Sequence, residues 1–183
     1  MKSSQNNPWI THRTEVKYDN PWIRVTHCDV TNPAGGEGIY GVVHFKNQAV
    51  GVIPVDDEGF TYLVGQYRYT LGSYEWEIPA GGCPEGENPE NTARRELAEE
   101  TGLVADSLQP LISNMALSNS VTDERAFIYL AENLKHGEAS PEETEDLTIK
   151  RLPVADAIQM VLNGTITDSM SVAGLLRLAM MVK

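Results

Sequence analysis

Cysteine is scarce in this chain, and so are aromatic residues, positive charge and long apolar runs. There are two cysteines in 183 residues, Cys28 and Cys83. That is too few for a disulfide scaffold, and neither sits in a Cys-x-x-Cys metal spacing, so both are read as reduced thiols, the state expected of a cytoplasmic protein. No apolar run approaches the ~18 residues needed to cross a bilayer. The first eight residues are polar, with no apolar core of a secretion signal, and nothing there marks export. Lys and Arg number 14 against 26 Asp and Glu, a formal net charge of −12. Such a surface repels nucleic acid and anionic membrane, which excludes a long polyanion as partner. A small phosphate ester is compatible only if a cation or local arginines neutralise its site. Hydrophobic residues reach 41%, enough for the core of one domain over residues 1–183.

Turns and alternation divide the chain without internal repeats. Residues 1–20 are polar and Asn-rich, expected to be ordered only in part unless a partner holds them. Residues 22–31 and 38–45 read as strands joined by Asn32-Pro33-Ala34-Gly35-Gly36. Residues 48–55 and 60–68 read as a second pair around Asp56-Asp57-Glu58-Gly59, and residues 75–79 as a short extended segment. Asn88 as N-cap, Pro89 at the first helical position and Gly102 as a left-handed cap bracket a helix. Strands are expected at 108–115, 125–131 and 147–152, and helices at 154–162 and, capped by Asp168, 169–181. Strands and helices mix without regular βαβ alternation, so the class is α+β with a mixed sheet and an N-terminal antiparallel strand region at residues 1–45.

The chemistry concentrates in residues 81–103. Glu96 and Glu100 stand four apart, so on a helix their carboxylates share a face, with Glu99 beside them. Like charges so placed destabilise a helix by a few tenths of a kcal/mol per pair, about 0.2–0.5. A hard divalent cation reverses that penalty, because Mg²⁺ takes carboxylate oxygens, water and phosphate. Arg95 can orient Glu99 or Glu87 through its fork of donors. The Gly-rich stretch before the helix lets backbone approach a ligand. A lone Glu-x-x-Glu-Glu helix is also what a solvated acidic face looks like. The whole pattern is more specific: Gly81, Glu87, Arg95, Glu96, Leu97, Glu99, Glu100, Gly102 and Leu103 occur in fixed order and spacing.

That pattern resembles the box of the Nudix hydrolases, and the order of elements around it resembles the Nudix α/β/α sandwich. The resemblance implies Mg²⁺-dependent hydrolysis of a diphosphate, with Mn²⁺ as a substitute for Mg²⁺. It implies metal ligation by Glu96, Glu100 and Glu99 and by the carbonyl of Ala80, with Arg95 and Glu87 holding the loop on the helix. Glu75-Trp76-Glu77-Ile78-Pro79-Ala80-Gly81-Gly82 and Gln66-Tyr67-Arg68-Tyr69 resemble the branch acting on ADP-ribose and nucleoside diphosphate sugars, where Arg68 would reach a substrate phosphate. Glu142-Glu143-Thr144-Glu145-Asp146-Leu147 resembles that branch's acidic loop, with Glu143 as catalytic base and Glu145 as a further metal ligand; a plain charged surface loop is the alternative. Members specific for ADP-ribose carry Ser-Pro-Gly about sixteen residues after the box, where this chain has Ser118-Asn119-Ser120 and then Val121-Thr122-Asp123-Glu124. The proline is absent, so a hexose derivative such as GDP-mannose joins ADP-ribose among the expected substrates, with Asn119 and Glu124 as contacts.

Trp22 can stack on a base, or can simply be core or interface. Exposed-looking Trp9, Trp22 and Tyr40 on residues 9–45, together with the strand exchange of related diphosphatases, point to a homodimer. His12, His27, His44 and His136 share no spacing and are read as non-catalytic. Competing functions are another Nudix activity, on dinucleoside polyphosphates or nucleoside triphosphates, and a non-catalytic nucleotide sensor. The intact box glutamates disfavour the sensor.

Overall fold

A computed structural model describes residues 6–137 and 146–181. Contacts divide the chain into two compact units: residues up to Asn47 together with Ala116–Glu124, and Gln48–Met115 together with the chain from Arg125 onward.

The first unit is a meander. Strands β1 (Ile10–Asp19), β2 (Ile23–Thr31) and β3 (Glu37–Phe45) form an antiparallel sheet in that order. Asn32 shapes the β2–β3 turn, its side chain accepting from the backbone N–H of Ala34 (3.0 Å) and Gly36 (3.1 Å). Residues 1–20 were expected to be ordered only in part; instead β1 is a ten-residue strand laddered onto β2. Its side chains are almost all exposed, so its order comes from the ladder and leaves no apolar alternation in the sequence. Tyr40 is half-buried rather than exposed, donating its hydroxyl to the carbonyl of Ser120 at 2.8 Å and meeting Trp9 edge to face.

The second unit holds the rest. Strands β4 (Asn47–Pro54), β5 (Phe60–Arg68), β6 (Ser73–Glu77) and β7 (Ala80–Pro84) precede helix α1 (Pro89–Thr101). Strands β8 (Leu103–Ala116), β9 (Arg125–His136) and β10 (Thr148–Pro153) follow, then helices α2 (Val154–Leu162) and α3 (Ser169–Ala179). One sheet runs β7-β4-β9-β8 and another β10-β5-β6. The expected pairing of the two strands around Asp56–Gly59 is corrected. The turn forms, with Asp56 accepting from Gly59 at 2.9 Å, but only the isolated bridge Val55↔Thr61 joins its arms. Beyond it β4 enters one sheet, parallel to β9, and β5 enters the other. Val50, Gly51, Val52, Ile53 and Pro54 are all buried, as in a central strand covered on both faces. The parallel pair makes the sheet mixed and the fold α+β. The core packs Val50, Val52, Cys83, Ala93, Leu97, Leu103 and Ala131. The Gly-rich stretch expected as loop is the strand β7.

Candidate functional site

Helix α1 begins where expected. Asn88 accepts from the backbone of Glu90 at 3.0 Å, Pro89 occupies the first turn, and Gly102 closes the helix at φ +69°. Its buried residues are Thr92, Ala93, Glu96, Leu97 and Glu100, one stripe at helical spacing. Two of the five are glutamates, with Glu96 6% and Glu100 2% exposed. A solvated acidic face would leave them in water. Here they lie on the side that carries Ala93 and Leu97 into the core.

Both face β7. The carboxylate of Glu100 accepts from the Ala80 N–H at 3.0 Å. Glu96 lies so close to Gly81 that a Cβ there would stand 2.1 Å from Oε1, which explains the glycine by close approach rather than by turn geometry. Arg95 joins the same groups. Its Nη1 meets Glu96 Oε1 and Glu99 Oε2, each at 2.8 Å, while Nη2 donates to the carbonyl of Gly82 at 3.1 Å. Burial acts to lower the Arg95 pKa, but Glu96 first and then Glu99 hold it above its ordinary value. Of the two partners expected for Arg95, Glu99 takes the hydrogen bond. Glu87 acts on it only through its charge and is tied by its backbone to Pro84 at 3.1 Å.

Arg68, at the end of β5, donates Nε to Glu77 Oε1 at 2.8 Å and Nη2 to Oε2. Glu77 is 6% exposed. This partner raises the Arg68 pKa, helped by the charges of Asp168 and Glu100. The guanidinium is thus fixed by a bidentate pair and still has N–H donors of Nη1 and Nη2 unspent on Glu77. Ile78, next in sequence, donates its N–H to Ser171 Oγ at 2.9 Å, and Ser171 in turn donates to Asp168 at 2.7 Å. The strand entering Ala80 is therefore anchored by the N-terminus of α3. Sequence reading missed this: Asp168 was legible as a cap, but nothing marks a serine whose hydroxyl reaches a backbone 93 residues away.

Trp22 (68% exposed), Asn119 (exposed) and Glu124 (half-buried) belong to the first unit. Burial, and then the charge of Asp123, raise the Glu124 pKa above 4.5. Glu143 and Glu145 lie outside the described residues. A cavity of about 540 Å³ lined by Asp56, Asp57, Glu58, Tyr62, His136 and Arg151 contains none of the box residues.

Among the described residues, no three His, Cys, Asp or Glu side chains already converge as a metal cage. The donor set nevertheless fits a hard divalent cation. Glu96 and Glu100 bring carboxylate oxygens against the Ala80–Gly81 backbone, Glu99 stands one position away, and a glycine keeps the space clear.

Comparison with known proteins agrees with this geometry. The NUDIX domain family matches residues 45–169, and the nucleoside diphosphate sugar hydrolase N-terminal domain matches residues 9–43. The chain is 41% identical over 171 residues to a Mycobacterium tuberculosis protein named ADP-ribose pyrophosphatase, covering 91% of this chain and 81% of that one. It is 34% identical to the methanol dehydrogenase activator of Bacillus methanolicus, covering 88% of each. A crystal structure titled ADP compounds hydrolase superposes at TM-score 0.86, covering 98% of this chain and 97% of that chain at 22% identity, which speaks to the fold. The chain belongs to the Nudix family and is a Nudix hydrolase.

Proposed function

We propose that this Nudix hydrolase cleaves the diphosphate of nucleoside diphosphate sugars, giving a nucleoside monophosphate and a sugar phosphate, with Mg²⁺ as its metal. ADP-ribose and a hexose derivative such as GDP-mannose are the expected substrates. The observation that carries the reading is the pair of buried carboxylates, Glu96 and Glu100, packed on the Ala80–Gly81 backbone. Carboxylate oxygens gathered beside a backbone carbonyl are the donors that a hard divalent cation prefers. The relatives named for ADP-ribose support the substrate class.

Glu96, Glu100, Glu99 and the Ala80 carbonyl would hold the metal. When bound, it neutralises diphosphate charge and makes water more acidic. Arg95 keeps Glu96 and Glu99 oriented and ties α1 to β7 through Gly82. Arg68 offers its remaining donors to a phosphate oxygen. Glu143 is the proposed base that takes a proton from the attacking water, and Glu145, on the same acidic segment, a further metal ligand. Asn119 and Glu124 meet the sugar, and Trp22 stacks on the base. The enzyme works in the cytoplasm as a homodimer built partly from residues 9–45; Trp22 (68%) and Ile39 (71%) leave apolar surface there to cover. Among the described residues no helix is long and apolar enough to cross a membrane.

Product analysis with Mg²⁺ across ADP-ribose, GDP-mannose and diadenosine polyphosphates tests the reading. The first two are expected within ~100-fold of each other in kcat/KM, a span that one or two buried hydrogen bonds supply. Activity on the polyphosphates alone, or full activity in excess EDTA, overturns it. Light scattering that finds an active monomer at micromolar concentration overturns the dimer.

A further inference from the structure

Residues 116–124 leave the end of β8 and run beside β3, and a row of contacts holds them there. The Tyr40 hydroxyl donates to the carbonyl of Ser120 at 2.8 Å. The Val43 N–H donates to the carbonyl of Val121 at 2.8 Å, and Val43 and Thr122 form a parallel bridge. His44 Nδ1 meets Asp123 Oδ2 at 2.7 Å, and the Phe45 N–H donates to Asp123 Oδ1 at 3.3 Å. The other ring nitrogen of His44, Nε2, lies 3.0 Å from the hydroxyl of Thr26, a residue only 5% exposed on β2. A carboxylate can only accept, so Nδ1 carries the proton, and in the neutral ring Nε2 accepts from Thr26. The ring is therefore fixed at both ends: one nitrogen on the sheet, the other on Asp123.

We propose that His44 is a positioning residue for substrate selection, holding Asp123 and with it the segment that carries Asn119 and Glu124. This rests on the reading that Asn119 and Glu124 meet the sugar. Asp123 is a suitable handle because it lies next to Glu124 and one turn of chain from Asn119. Its charge already acts on Glu124, after burial the second cause of that residue's raised pKa. Freeing Asp123 would move the backbone on which both contacts stand and alter the field on one of them.

Two substitutions separate the ends of the ring. In His44→Asn the side-chain amide nitrogen falls near the place of Nδ1, so the hydrogen bond to Asp123 survives and that to Thr26 is lost. In His44→Gln the amide group falls near Nε2, where its oxygen can accept from Thr26 as the ring nitrogen does, so Thr26 is kept and Asp123 released. Both remove the same ring, so a general packing role would affect them alike. The full-length protein is used, with kcat/KM for ADP-ribose and GDP-mannose and amide hydrogen exchange over residues 119–124 as readouts. The ratio of the two kcat/KM values should change roughly tenfold in His44→Gln, mainly through KM, and stay within about twofold in His44→Asn. Exchange should quicken in His44→Gln only. Equal behaviour of the two variants in exchange overturns the clasp, and this holds even if the wild type cleaves neither substrate, the result that sinks the functional reading by itself. Faster exchange with an unchanged ratio overturns the role in selection while leaving the hydrolase reading intact.

Discussion

Two sets of acidic residues in this molecule have opposite surroundings. On the β1–β3 sheet, Glu15 and Asp19 stand at the surface, with side chains 40% and 37% exposed. Glu15 is paired with Lys17, and Asp19 with Lys46 and Arg24, and these partners lower both pKa values. Such pairs are screened by water and salt and contribute little. On α1, Glu96 and Glu100 are inside, Glu96 paired with Arg95 and Glu100 accepting from the Ala80 N–H. The first set is what an acidic chain does to stay dispersed. The second is held against a desolvation penalty, as expected of groups that the proposed function puts to use.

The largest expected effect breaks or upholds that contrast directly. Glu100→Gln should lower kcat by roughly 10²–10³-fold or more, with an unchanged circular dichroism spectrum, and EDTA should abolish activity in the wild type. Glu15→Gln should leave kcat within about twofold, since surface changes away from special features are nearly silent. Equal losses in the two variants would erase the distinction. Next comes Gly81→Ala. The new Cβ must displace Glu96, so at least a roughly tenfold loss of kcat should accompany a destabilisation of about 1–3 kcal/mol in a denaturant titration.

Arginines sharpen the same comparison. Arg68→Ala strands the buried Glu77, which would cost about 3–5 kcal/mol in a fully buried pair; Arg68 is 39% exposed, so about 1–3 kcal/mol is expected. Arg24→Ala, removing a surface partner of Asp19, should leave the melting temperature unchanged. The smallest effect belongs to Glu124. Burial raises its folded pKa above 4.5, so the protonated form is the one the fold favours. Its contribution is therefore fully present below pH 4.5 and is lost as pH rises through the folded value. Glu124→Gln should give a small rise in melting temperature at pH 7 that disappears near pH 4.

What was legible in the sequence follows the range of the interactions. Asn88, Pro89 and Gly102 act within one turn, and their roles as helix ends were readable residue by residue. The box was readable because fixed spacing on a helix brings Glu96 and Glu100 to one face. Their burial was not, because it depends on β7 covering that face. The partners of β4 were misread for the same reason. Val55 and Thr61 are close in sequence and suggested a hairpin, whereas the ladder actually joins Val50 to Phe127. Glu77 under Arg68, Ser171 under Ile78 and Asp123 beside His44 are side-chain meetings set by tertiary folding, and no local pattern announces them. β1 escaped notice because an exposed polar strand lacks the alternation by which strands are recognised.

The parallel ladder of β4 with β9 also bears on how the chain is made. Residues 49–54 have their partners at 126–131, and β5 has its own at 148–153. A ribosome emitting the chain from the N-terminus would release the β1–β2–β3 meander, whose neighbours are adjacent in sequence, first; β4 then meets its edge neighbour β7 well before its parallel partner β9 is made. Until β9 follows, the apolar run from Val50 to Ile53 lacks its parallel partner, and a chaperone or a pause in translation would act on that interval.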